Sequence, residues 1–111
     1  MEYKVERSKQ FRKEYGKLKI SGRTSLLKKT DDTIERLKNK DFVPSMQNHQ
    51  LSGDKKGWWD AHIAGDYVII YKYNEKDKVL ILGGLGNHST TNIESFDDLT
   101  NEEFNLMQQL Y

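Results

Sequence analysis

Cysteine is absent from the 111 residues. Disulfides and zinc–thiolate centres are thereby excluded, and nothing points to an oxidising, secreted setting. Proline occurs once, at Pro44, so a single position forbids helix continuation outright. No apolar run approaches the roughly 20 residues of a membrane-spanning helix. The N-terminal MEYKVERSKQFRKEYGKLK is charged throughout and lacks the apolar stretch of a secretory signal. A cytoplasmic protein without membrane contact is expected. Apolar residues are also scarce, at 35%, whereas 32% of the chain is charged, above the usual share of about one quarter. Such a chain can build one modest core under a heavily solvated surface, and its length suits one domain.

Charge of one sign is missing from neither half, but it is unevenly spread. Residues 1–40 hold 13 Lys/Arg against 6 Asp/Glu, and residues 41–111 hold 5 against 11, so the net +1 conceals a basic third and an acidic remainder. A basic N-terminal third suits phosphates or an acidic partner protein; lysine-rich helix surfaces with no partner are the plainer alternative.

The periodicity predicts an α+β order. Tyr3, Val5 and Arg7 alternate with charged residues, a strand over 2–7. Ser8 can cap a helix over 8–20, in which Phe11, Tyr15 and Leu18 share one face. A second helix fits 24–39, with Leu27, Ile34 and Leu37 in one stripe and Leu26, Thr30 and Thr33 beside it; Pro44 forbids its continuation. Such a helical hairpin needs a sheet to cover its apolar stripes. Residues 49–89 supply one. Gly53–Gly57 is a turn signal, Trp58–Ile63 a strand, Ala64-Gly65 a reversal, Asp66–Tyr73 the strongest strand, Asn74–Asp77 a hairpin turn and Lys78–Leu82 a last strand, loosened after Leu82 by Gly83-Gly84-Leu85-Gly86. Short turns make these three strands an antiparallel meander. In the first of them Trp58, Asp60 and His62 share one face, with Trp59, Ala61 and Ile63 on the other. Thr100 and Glu103 form a capping box, predicting an added helix over 100–110 with Phe104, Met107 and Tyr111 on one face.

All three histidines, His49, His62 and His88, lie between residues 49 and 88. Histidine takes and gives protons near neutral pH. Metal-independent RNA cleavage needs a base for the 2′-hydroxyl, an acid for the departing 5′-oxygen and cations for the phosphate, each good acid or base contributing about 10²–10⁴-fold. His49, His62, Asp66 and His88 supply the titratable groups. Lys55, Lys56 and Lys72 supply cations, and Trp58, Trp59 and Tyr67 supply surfaces for unpaired bases. A packing or turn role is open to each of these residues taken singly. A zinc site of three histidines and Asp66 is the competing constellation, although the local H-x-x-x-H spacing is lacking. Neither a phosphate-cradling glycine motif nor a Ser–His–Asp signature is present.

The run His49-x-Leu51-x-Gly53-x3-Gly57-x2-Asp60-Ala61-His62-Ile63-x2-Asp66-Tyr67-Val68-Ile69-Ile70-Tyr71-Lys72, followed by Gly86-Asn87-His88, resembles the YafQ branch of the RelE/ParE toxin superfamily. The resemblance spans roughly 47–89, and the helical hairpin upstream agrees in order and length. It implies the RelE-like fold, an antiparallel sheet formed by the N-terminal strand and the C-terminal meander and packed on the helical hairpin. It implies a toxin that cuts mRNA in the ribosomal A site, needs no cofactor, and is neutralised by a DinJ/RelB-like antitoxin through whose complex it reaches operator DNA. By position, His49, His62, Asp66 and His88 match the catalytic set. His88 matches the proton donor to the leaving oxygen, and the other three share base and phosphate-stabilising work. Tyr67 falls where the family carries an aromatic that stacks or orients substrate. Two departures stand out. Asn92 occupies a position where close relatives have an aromatic, a ring that Phe96 can replace, and the segment 100–110 has no family counterpart. A non-catalytic ParE-like toxin, or a member acting only through antitoxin and operator, is the alternative reading.

Overall fold

Ser8 decides where the first helix begins. In the computed structural model, which describes residues 2–51 and 57–87, its hydroxyl accepts a hydrogen bond from the Phe11 amide at 3.0 Å and donates one to the Gly83 carbonyl at 3.0 Å. One side chain thus caps the helix and ties it to the sheet. Strand β1 (Lys4–Arg7) precedes that cap, and helix α1 (Lys9–Ile20) follows it. Phe11 and Leu18 are buried and Tyr15 is half-buried, as the periodicity predicts. Helix α2 spans Thr24–Lys38. Its buried stripe is Leu26, Thr30, Thr33, Ile34 and Leu37, and the half-buried Leu27 packs against the same core. The two threonines are tolerated there because their hydroxyls bond back to the Leu26 and Lys29 carbonyls at 2.8 Å.

Pro44 opens a short 3-10 turn, Pro44–Met46, and Met46 is buried. Strands β2 (His49–Gln50), β3 (Trp59–Ala64), β4 (Tyr67–Asn74) and β5 (Val79–Asn87) complete the order among the described residues. The sheet order is β1-β5-β4-β3-β2. The meander is antiparallel as expected, but β1 joins β5 in parallel. The sheet is therefore mixed rather than wholly antiparallel, because the helical pair gives the chain room to cross over before it returns. The second departure is the length of β5, which runs through the glycines to Asn87 instead of loosening after Leu82. A register shift opposite Ile70/Tyr71 absorbs an extra residue, and the Leu85 amide donates to Glu14 Oε1 of α1 at 2.9 Å. All but Gly57 of the turn expected over 53–57, and the helix expected over 100–110, lie outside the described residues.

Both sheet faces carry apolar residues. The helix-covered face holds the main core, with Phe11, Leu37, Ala61, Ile69, Tyr71, Leu80, Leu82 and Leu85 all but fully buried. Helix α1 lies against β5 and α2 against β3. The opposite face carries a smaller cluster, Trp58, Val68, Ile70, Val79 and Ile81. No helix among the described residues is long and apolar enough to cross a membrane.

The tyrosines of the core set an alkaline limit. Burial raises the pKa of Tyr71 and Tyr73, and burial together with a bond to Asp31 pushes Tyr15 from 10.0 up to about 12. A folded pKa above the unfolded one means stability that is complete below pH 10.0 and is lost as pH rises toward about 12. Urea melts should therefore show a midpoint falling steeply above that lower pH, with tyrosinate absorbance rising as the protein unfolds. A midpoint independent of pH there would contradict this.

Candidate active site

The described histidines lie on the sheet face turned away from the helices. Gln47 ends the 3-10 turn in a left-handed conformation, φ 45° and ψ 48°. This turns the chain so that His49 pairs with Asp60 and Gln50 with Trp59. The His49 ring, 49% exposed, places Nδ1 2.8 Å from Oδ1 of Asp60, whose side chain is 1% exposed. The same nitrogen lies 3.2 Å from the Gln47 carbonyl oxygen. Both neighbours are acceptors when Asp60 is ionised, so the neutral ring carries its proton on Nδ1 and its lone pair on Nε2.

His62 repeats the arrangement two residues along β3, a spacing of roughly 6–7 Å on the same face. It pairs with Val68, and the register slips between His62 and Ala64, releasing the strand into its turn. There Gly65, at φ 57°, brings its carbonyl oxygen 3.2 Å from His62 Nδ1. A side chain at that φ would strain the turn. Nε2 again holds the lone pair of the neutral ring. Asp66 follows Gly65 and is exposed in the same turn.

Lys72 stands on this face too. Its Nζ lies over the Trp58 ring, 4.9 Å from the centroid, and burial lowers its pKa. Trp58 itself departs from expectation. It is 1% exposed and forms the floor of the site rather than a surface for bases. The reason is Gly83, where a Cβ would stand 2.6 Å from Trp58 Cζ3; the missing side chain lets the ring settle on the sheet. Trp59, on the helix side, is 38% exposed and borders a cleft of about 530 Å³ with Phe42, Tyr71 and Tyr73.

The fold thus puts His49, His62 and Lys72 on one face of the sheet, Lys72 toward the Trp58 end and His62 toward the turn that holds Asp66. Tyr67 is elsewhere. It is packed against the main core on the helix side, with the Arg23 guanidinium 5.8 Å from its ring centre. Lys55, Lys56, His88 and Asn92 lie outside the described residues; β5 ends at Asn87, paired with Tyr67. Asp60 is the residue that sequence reasoning undervalued. Alternation put it on His62's face, but only the β2–β3 register sets it against His49. No group of three or more His, Asp or Glu side chains among the described residues is arranged to hold a metal ion.

Comparison with known proteins agrees with this architecture. Residues 3–92 match the family model described as bacterial toxin of type II toxin-antitoxin system, YafQ. A relative from Haemophilus influenzae named for toxin YafQ is 38% identical over 92 residues, covering 79% of this chain and 90% of its own. Among solved structures, the E. coli DinJ–YafQ toxin–antitoxin complex aligns with a TM-score of 0.67 at 25% identity, covering 83% of this chain and 99% of that one. A copper-bound mutant toxin from Helicobacter pylori aligns with a TM-score of 0.67 at 33% identity, covering 79% and 97%.

Proposed function

Since this chain belongs to the YafQ family of type II toxin–antitoxin toxins, we propose that it is a ribosome-dependent endoribonuclease that cuts mRNA and so halts translation. The observation that carries the reading is the matched pair of histidines. On one face of the sheet, His49 and His62 each hold Nδ1 against an oxygen acceptor, which directs the lone pair of the neutral ring to Nε2. That is the disposition a general base needs.

Cleavage then runs by acid–base chemistry. A histidine Nε2 takes the proton of the 2′-hydroxyl, that oxygen attacks the adjacent phosphorus, and the bond to the 5′-oxygen breaks. His88 gives its proton to the departing oxygen. The products are a 2′,3′-cyclic phosphate and a free 5′-hydroxyl. Lys72, with Lys55 and Lys56, steadies charge on the phosphate, and Asp66 shares that proton-transfer work beside His62. The exposed α1 residues Lys9, Arg12, Lys13, Lys17 and Lys19 suit ribosomal RNA, so ribosome binding should weaken steeply with salt. The solved E. coli relative is bound to DinJ. By analogy this chain takes a DinJ/RelB-like antitoxin and reaches operator DNA through that complex.

Induction in a bacterial host tests the reading. The wild-type chain should arrest growth within minutes, with freshly cut mRNA, and co-expression of the cognate antitoxin should restore growth. Arrest with intact mRNA would overturn it.

A further inference from the structure

We propose that Asp60 is a positioning residue of the reaction. Its buried carboxylate holds the His49 imidazole in the tautomer with the proton on Nδ1, which makes His49 Nε2 the atom that accepts the 2′-hydroxyl proton. The consequence for cleavage rests on the endoribonuclease reading; the tautomer does not.

The place of Asp60 is the first argument. It lies inside β3 and is 0% exposed, with Ile70 across on β4 and Trp58 two residues before it on the same face. An apolar side chain would serve packing better there, because an ionised carboxylate out of water is costly unless it is paired. The contact at 2.8 Å is to a half-exposed ring on a two-residue edge strand. For catalysis it is apt, because the imidazolium formed when Nε2 gains a proton lies directly against a fixed negative charge.

The geometry around the ring is the second argument. Oxygen acceptors from two elements converge on one nitrogen, the Asp60 carboxylate from β3 and the Gln47 carbonyl from the turn before β2. Gln47 holds its left-handed conformation although it is not glycine, and such backbone persists where its surroundings require it. In the corresponding place His62 Nδ1 faces the Gly65 carbonyl. The carboxylate beside His49 is able to stabilise that ring's charged form. This divides the work: His49 with Asp60 as the base, and His62 beside Asp66 at the phosphate.

The test uses the full chain, labelled with nitrogen-15, and the Asp60→Asn variant. Long-range proton–nitrogen correlation at a pH where the rings are neutral reads each tautomer directly. Wild-type His49 should show a protonated Nδ1 and an unprotonated Nε2. In Asp60→Asn the amide can donate to Nδ1, so the signature should move toward protonated Nε2, and mRNA cleavage should fall roughly 10²–10⁴-fold. A wild-type ring protonated on Nε2 would overturn the proposal whether or not the variant folds. So would a variant whose tautomer switches while its cleavage stays at the wild-type rate, or one that loses cleavage with its tautomer and melting curve unchanged. A wild-type chain with the expected tautomer but no cleavage of mRNA would instead refute the endoribonuclease reading and leave the Asp60–His49 pairing standing.

Discussion

Changing His62 to alanine should lower mRNA cleavage by about 10²–10⁴-fold and abolish growth arrest, while costing about 1 kcal/mol of stability or less. The ring is half-buried near the end of β3, where its Nδ1 lies 3.2 Å from the Gly65 carbonyl oxygen. His88→Ala should behave in the same way if His88 delivers the proton to the leaving oxygen. Together the variants distinguish chemistry from binding. A toxin that acted only by holding a target would keep its potency after either change, and equal arrest by the variants would contradict the acid–base account. Measuring cleavage and thermal melting on the same preparations separates lost chemistry from lost fold.

Stability should depend far more on the floor of the site than on its histidines. Trp58→Ala removes a fully buried ring from the smaller cluster, a class of change that costs about 3–5 kcal/mol. Folding free energies of about 5–15 kcal/mol leave little margin for that. Gly83→Ala should also destabilise, by roughly 1–3 kcal/mol, because its Cβ would stand 2.6 Å from the Trp58 ring. The two effects share one contact and should not add. With Trp58 already reduced to alanine, the methyl group at position 83 has space, so the second change should cost little or even restore some stability. Urea denaturation of the four proteins in this cycle gives the answer. Strict additivity would show that the close approach of Gly83 and Trp58 is not what shapes this part of the sheet.

Much of this fold was legible from local chemistry. Ser8 ahead of Phe11, Tyr15 and Leu18 announces a capped amphipathic helix, and the alternation of Tyr67, Ile69, Tyr71 and Tyr73 announces a strand with one face on the core. The family resemblance rested on the same stretch. What escaped depends on which strand lies beside which. Nothing local in Lys4–Arg7 says that β1 will run parallel to β5. Gly83 to Gly86 reads as a loosened strand end because glycine usually marks one; here Gly83 is needed by a tryptophan 25 residues away in sequence. The same ring misled the site reading. Trp58 lies next to Trp59, and composition alone cannot say which is buried and which is exposed. Asp60 was placed on the correct face but not against His49, since a two-residue strand such as β2 carries no periodicity from which to read a register.

The chemistry of the cut ends tests the central claim most directly. Purified protein, translating ribosomes and a defined mRNA should yield fragments ending in a 2′,3′-cyclic phosphate and beginning with a 5′-hydroxyl, with no such cleavage of the same mRNA free of ribosomes. These are the ends that attack by the 2′-oxygen must leave. Fragments beginning with a 5′-phosphate, or mRNA left intact by a preparation that still arrests growth, would contradict the account.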